Sequence, residues 1–214
     1  KSTTTMSTRS PVQVLDLGLN NLTSLIRAIR GTEPASVRIV TTGDELRQTG
    51  LVVLPGVGAF GAAMSNLRAR GFEQPIRNHI AAGGYLMGIC LGMQLLFNES
   101  SESPGCNGLG LIQGDVYRIP PYAGLRVPHV GWTNLQGLPS PFPSLQSEED
   151  FYFVHSYEAA PKFGAAVIAR AHYGTNLLVS AVLSERVVGF QFHPEKSSKP
   201  GARLLGEVMR WAGA

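Results

Sequence analysis

Short apolar runs recur through the first half of the chain. Val12 to Leu17, Val37 to Val40, Leu51 to Leu54 and Tyr85 to Ile89 are apolar almost without interruption, which is the pattern of strands buried on both faces, as in a parallel sheet. Between them the spacing changes. Leu22, Leu25, Ile26 and Ile29 lie on one stripe of a predicted helix over Asn21 to Arg30, and Ala59 to Arg70 and Phe72 to Ala82 also read as helices. Strands alternating with helices predict an α/β fold with a mixed, mostly parallel central sheet flanked by helices.

Past residue 108 the chain becomes rich in Gly and Pro. β-like runs fall at Leu111 to Ile119, Asp150 to Tyr157, Ala165 to Ala171, Leu177 to Leu183 and Val187 to Phe192, and they predict an antiparallel extension of the sheet. Gly201 to Trp211 closes as a helix with a stripe of Leu204, Leu205, Val208, Met209 and Trp211. No linker divides residues 12–214, which are expected to form a single domain. Residues 1–11 are Ser/Thr-rich without apolar pattern, and a disordered extension is expected there.

Composition narrows the function classes. The 214 residues are 43% hydrophobic and only 15% charged, against roughly 25% charged in an average soluble domain. The net charge of +3 comes from scattered basic residues, so no basic stripe with interleaved aromatics supports nucleic-acid binding. The two cysteines, Cys90 and Cys106, sit in unlike contexts, and no His or Cys pair has metal-ligand spacing. Neither a metal nor another cofactor is expected. No apolar run approaches the 18 or so residues that cross a bilayer, and a cytoplasmic, reducing setting is the expectation.

Candidate chemistry concentrates at Gly88-Ile89-Cys90-Leu91-Gly92-Met93-Gln94. The stretch follows an apolar strand and precedes Leu91 to Phe97, a helix-like run, so Cys90 falls on a strand-to-helix turn. A nucleophile mounted there is exposed at the strand's carboxyl end, and the N–H groups of the helix start favour its thiolate. An isolated cysteine is more often inert packing. Glycine at both −2 and +2 shifts the reading, since it is expected to let the chain turn sharply.

A second candidate element ends the last strand. In Phe190-Gln191-Phe192-His193-Pro194-Glu195, the residue before proline is pushed towards extended geometry, and residues two apart in an extended chain project to one side. Glu195 is therefore expected beside His193, the general arrangement of a base and its orienting carboxylate. Pro55-Gly56-Val57-Gly58 ends another strand, and its small residues suit a backbone N–H presented to an oxyanion.

These motifs carry a resemblance. Gly88-x-Cys90-x-Gly92-x-Gln94 with His193-x-Glu195 resembles the class I (triad) glutamine amidotransferases, whose fold is flavodoxin-like. Pro55-Gly56-Val57-Gly58-Ala59-Phe60, Pro128-His129-Val130-Gly131-Trp132, Phe153-Val154-His155-Ser156-Tyr157 and His193-Pro194-Glu195-Lys196-Ser197-Ser198 narrow it to the glutaminase subunits of histidine biosynthesis. The resemblance implies hydrolysis of L-glutamine through a Cys90 thioester, with His193 as base and Glu195 as its orienter. It implies an oxyanion hole at Val57, Gly58 and Leu91, and substrate contacts from Gln94, Glu102, His155, Ser156 and Tyr157. It also implies a heterodimer with a (β/α)8-barrel cyclase that receives the ammonia, with Asn21, Trp132 and Lys196 at the interface.

The chain departs from the family pattern in two places. Asp16-Leu17-Gly18-Leu19-Asn20-Asn21-Leu22 lacks the usual tyrosine and second glycine, and Thr133 stands where Asn is usual. Two alternatives stay open at this level: the glutaminase of another ammonia-channelling synthase, and a non-catalytic binding module of the same fold. The Phe153 to Tyr157 and Lys196 to Ser198 motifs weigh against the first, and the presence of all three triad residue types against the second.

Overall fold

The computed structural model describes residues 11–19, 22–32, 36–121, 125–162 and 167–214. Asn20 and Asn21 lie outside them, as does most of the expected N-terminal extension. The first half alternates as predicted: β1 (Val12–Leu15), α1 (Thr23–Thr32), β2 (Val37–Val40), β3 (Leu51–Gly56), α2 (Phe60–Ala69), α3 (Glu73–Ala81) and β4 (Tyr85–Cys90). A single helical turn, α4 (Leu91–Gln94), follows directly. The second half supplies β5 (Gly114–Arg118), β6 (His129–Gly137), β7 (Asp150–His155), β8 (Tyr157–Pro161), β9 (Val167–Tyr173), β10 (Asn176–Ser184), β11 (Val187–Phe190) and α5 (Ser198–Ala212).

A nine-stranded sheet runs in the order β2-β1-β3-β4-β11-β10-β9-β6-β7. It is parallel from β2 to β11 and antiparallel from β11 to β7, while β5 and β8 form a separate ribbon. Strand side chains alternate between two cores. Val12, Val14, Val53, Ile89 and Phe190 pack with Leu25 and Ile29 of α1 and Leu204, Leu205 and Val208 of α5; Leu15, Val52, Leu54 and Leu86 pack with Met64, Leu67 and Ile76 of α2 and α3. Burial on both faces is why these strands read as continuous apolar runs.

Three expectations need correction. The helix expected over Leu91 to Phe97 ends after one turn. The carbonyls of Leu95, Leu96 and Phe97 that would extend it instead accept N–H bonds from Leu109, Leu111, Ile112 and Gly110 on the returning chain. The strand expected over Asp150 to Tyr157 is two strands, broken at Ser156, with β7 in the main sheet and β8 in the ribbon. Strand β6 was not expected from the hydropathy pattern at all.

Candidate active site

The neighbouring parallel strands β3, β4 and β11 bring the three motifs together at their carboxyl ends. Gly56 stands opposite Cys90, and Ile89 opposite Phe190, so the chain beyond β11 passes the nucleophile candidate on the side away from Val57. Phe190 and Phe192 are fully buried among Phe142, Phe151 and Phe153, each burial stabilising the fold by roughly 1.5–3 kcal/mol. That anchoring fixes the register. Strand alternation then turns Gln191 and His193 together towards Cys90.

The elbow is built differently from the sequence expectation. Cys90 itself takes the strained backbone conformation, with φ 54° and ψ −112°, and Gly88 and Gly92 are not in the positive-φ region. The glycines supply room. A Cβ on Gly92 would stand 1.8 Å from the Leu54 carbonyl oxygen, and one on Gly88 would stand 2.7 Å from the Gly92 oxygen. Helix α4 is thus seated directly on the backbones of β3 and β4. A non-glycine residue in such a region costs on the order of 1–3 kcal/mol and persists where the surroundings over-determine it.

His193 is held through its backbone and its ring. Its N–H donates to the Tyr152 carbonyl at 2.9 Å, while the buried Ser197 hydroxyl donates to its carbonyl at 2.6 Å and accepts from the Tyr152 N–H at 3.0 Å. Its Nδ1 lies 2.8 Å from Glu195 Oε1. Glu195 reaches this position from a 3₁₀ turn over Pro194–Lys196 rather than from an extended strand. With Nδ1 occupied by the carboxylate, Nε2 is left buried on the Cys90 side, where the thiol is the group that acts on it. Burial lowers the ring's basicity, but the hydrogen-bonding and charge effects of Cys90 and Glu195 outweigh it and push the His193 pKa up to about 9.

A cavity of about 320 Å³ opens over Cys90 and is lined by Val57, Gly58, Leu91, Gln94, Glu102, His155, Ser156, Tyr157 and His193. It therefore gathers every residue expected for the nucleophile, base, oxyanion and substrate roles except Glu195, which lines an adjoining cavity with Val57, His193 and Lys196. Gly58 has φ +94° with open space where a Cβ would stand. Glu102 Oε2 accepts the Phe60 N–H at 2.7 Å, so it caps α2 from across the cavity. Of the expected interface residues, Trp132 is 51% exposed and packs edge-on against Tyr152, whose ring also carries the Lys196 ammonium at 5.9 Å; Asn21 lies outside the described residues.

The chain matches the family model for the class-I glutamine amidotransferases over residues 13–209. The chain belongs to this family. This amidotransferase is 41% identical over 210 residues to the imidazole glycerol phosphate synthase subunit HisH of Moorella thermoacetica, covering 95% of this chain and 97% of that one. It is 39% identical to the HisH subunit of Aquifex aeolicus, covering 93% and 96%, and 42% identical to that of Methanothermobacter thermautotrophicus, covering 91% and 95%. Among solved structures, one titled glutamine amidotransferase superposes with a TM-score of 0.72 at 23% identity, covering 96% of this chain and all of the other. The PurLQS structure from Thermotoga maritima gives 0.74 at 17% identity, covering 95% and 99%. These two likenesses are of fold. No described helix is long and apolar enough to cross a membrane.

Sequence reasoning about this amidotransferase missed a buried histidine pair. His155 Nδ1 lies 2.8 Å from the Tyr157 carbonyl, which can only accept, so that nitrogen carries the proton. His155 Nε2 must then accept from His129 Nδ1 at 3.1 Å, and His129 Nε2 accepts from the Thr133 hydroxyl at 3.0 Å. Both rings are neutral in this chain. Thr133, the departure from the family's usual Asn, is its outer end. The signal was the Pro128 to Trp132 motif, whose histidine had been given no role.

Burial lowers the pKa of His129 and of His155 from 6.5 to about 4, with the neighbouring ring charges reinforcing the effect at His155. Unfolded, both would charge near 6.5. The fold is therefore expected to lose stability as the pH falls from about 6.5 towards 4, with a slope of about 1.4 kcal/mol per pH unit for each proton taken up on unfolding. Buried His79, also lowered, adds to it. His193 works in the other window, since its raised pKa stabilises fully below 6.5 and loses effect as the pH climbs towards 9. Urea titrations at intervals between pH 7 and 5 measure the slope; a midpoint that stays flat across that range would show that these rings charge freely in the fold.

Proposed function

We infer that this chain is the glutaminase half of an imidazole glycerol phosphate synthase. The observation that carries the reading is the juxtaposition at the ends of β4 and β11: a strained, buried cysteine faces Nε2 of a histidine whose Nδ1 is held by a carboxylate. In the proposed reaction, Cys90 Sγ attacks the side-chain amide carbon of L-glutamine, and His193 Nε2 gives its proton to the departing nitrogen, which leaves as ammonia. Water, deprotonated by His193, then cleaves the γ-glutamyl thioester and releases glutamate. Glu195 orients the imidazole, and the backbone N–H groups of Leu91 and Gly58 receive the oxyanion.

Gln94 adds a defined polarity to the substrate cavity. Both its N–H bonds are committed, to the Tyr157 carbonyl and to Gln191 Oε1, so it offers the cavity an acceptor. With Glu102 it suits the ammonium end of the substrate, while the Ser156 hydroxyl and backbone around Tyr157 serve the carboxylate. His155 has both ring nitrogens engaged and shapes the cavity wall.

A partner is part of the proposal. The relatives are named as subunits, and exposed Val57 and Lys196 line the cavities, while exposed Trp132 packs on Tyr152, whose ring also meets Lys196, with Val130 exposed on the same side of β6. We place a (β/α)8-barrel cyclase against this face, taking the ammonia directly. The two unpaired cysteines fit a reducing, cytoplasmic setting. Gly58, a glycine at φ +94°, has the backbone range for the Val57-Gly58 peptide to turn its N–H inward when the partner docks.

The test is glutamate release with and without the cyclase. Release from the isolated chain is expected to be low and to rise on the order of 100-fold or more on adding the cyclase, the worth of one oxyanion donor. Stimulation only by the synthase of another ammonia-using pathway would overturn the assignment.

A further inference from the structure

Gln191 is wholly buried, and beyond holding Gln94 it takes no step in the mechanism above. Its carboxamide lies between two other groups in a chain with one possible direction. At one end the Tyr157 carbonyl can only accept, so the Gln94 atom 3.1 Å from it is Nε2. The second N–H of that nitrogen points at a Gln191 atom 3.0 Å away, which must be Oε1. The nitrogen of Gln191 is thereby turned to the other end, 3.8 Å from Cys90 Sγ.

We propose that Gln191 is a positioning residue that holds the Cys90 sulfur as a thiolate by donating an N–H to it, with Gln94 and the Tyr157 carbonyl locking the amide in that orientation. The proposal rests on Cys90 being the nucleophile. An N–H donor favours the charged form of the sulfur it faces, and a donor held in a buried segment fixes the direction from which that sulfur can attack. Alternation along the chain beyond β11 sends Gln191 and His193 to the same side, so the sulfur is met by an amide and an imidazole from one segment. The thiol's own donor direction is the Val154 carbonyl, 3.8 Å away. On losing its proton the sulfur exchanges that contact for a role as acceptor only. The titratable groups around it are His193, Glu195 and Lys196 beyond β11, His155 at the end of β7, Tyr157 at the start of β8, and Glu102 across the cavity.

The experiment reads the thiol without glutamine. In a Cys106→Ala background, alkylation of Cys90 by iodoacetamide is followed by mass spectrometry across pH for the parent, Gln191→Leu and Gln191→Glu. In Gln191→Leu the alkylation midpoint is expected to move up by about one pH unit, a tenfold loss of thiolate at fixed pH below the midpoint. In Gln191→Glu, which keeps the shape and the bond from Gln94 but sets a carboxylate against the sulfur, a larger upward move is expected; this variant carries the test if the leucine variant does not fold. Steady-state glutamate release should show kcat falling while KM holds. Profiles that superpose on the parent, or move down, overturn the proposal. Those outcomes are separable from failure of the glutaminase reading, which would appear as undiminished activity in Cys90→Ala whatever the alkylation profile shows.

Discussion

Cys90→Ala is expected to lower partner-stimulated glutamate release by 10⁴-fold or more, the order seen when a triad loses its nucleophile, while the melting temperature stays within a few degrees of the parent. The two halves of that expectation have separate causes. Sγ is the atom that would form the bond to the substrate, and no other thiol lines the cavity. Alanine keeps the Cβ and so keeps the backbone at φ 54° under the same constraint; only one sulfur is removed from a buried position. His193 and Glu195 remain paired through Nδ1 and Oε1. Glutamate release at the parent level from a folded variant would remove Cys90 from the mechanism altogether.

Gly92→Ala is expected to fail in the opposite order, through the fold first. The added methyl would stand 1.8 Å from the Leu54 carbonyl oxygen and 2.8 Å from its carbon. These are backbone atoms of a central strand, paired to β4 through Leu54 and Gly88, so neither side can yield by rotating a side chain. Overpacking of this kind costs about 3 kcal/mol or more, which in a chain of this size lowers the melting temperature by roughly 6–12 °C. Lifting α4 off β3 would also displace Leu91, whose N–H is the proposed oxyanion donor next to Cys90. A thermal melt and a glutaminase assay on the same preparation check both. A variant with an unchanged melt would mean that the elbow repacks more freely than its contacts indicate.

The legibility of this protein in its sequence was uneven, for physical reasons. β1, β3, β4 and β11 could be read because both of their faces are buried, leaving a nearly unbroken apolar run, β2 because it is a short apolar run at the sheet edge interrupted only by Arg38, and α1 and α5 because one face is buried. β6 could not. Its inward positions carry His129, Gly131 and Thr133, while Val130 and Trp132 point outward and are exposed, so the alternation is inverted over its first half. The break at Ser156 was hidden because β7 and β8 are both strands and only their partners differ. At the site, the residue types and the strand ends were readable from Cys90, His193 and the glycines, since each motif needs its neighbours in sequence. Gln191, Ser197 and His129 were inside quoted motifs yet had no assigned work. Their roles depend on Tyr152, Gln94 and His155, all of them remote in sequence, and hydrogen-bond direction across such distances leaves no local pattern.

The seating of α4 on two bare backbones has a consequence for how related sequences are interpreted. Replacement of Gly88 or Gly92 would be rejected through excluded volume and replacement of Cys90, as the proposed nucleophile, through lost bond-making, yet an alignment column would record only that substitution is rejected. The three positions would weigh alike in any score of functional importance built on invariance. What separates them is the amount of folded protein each replacement leaves behind, a quantity written in the abundance of a variant rather than in its ancestry.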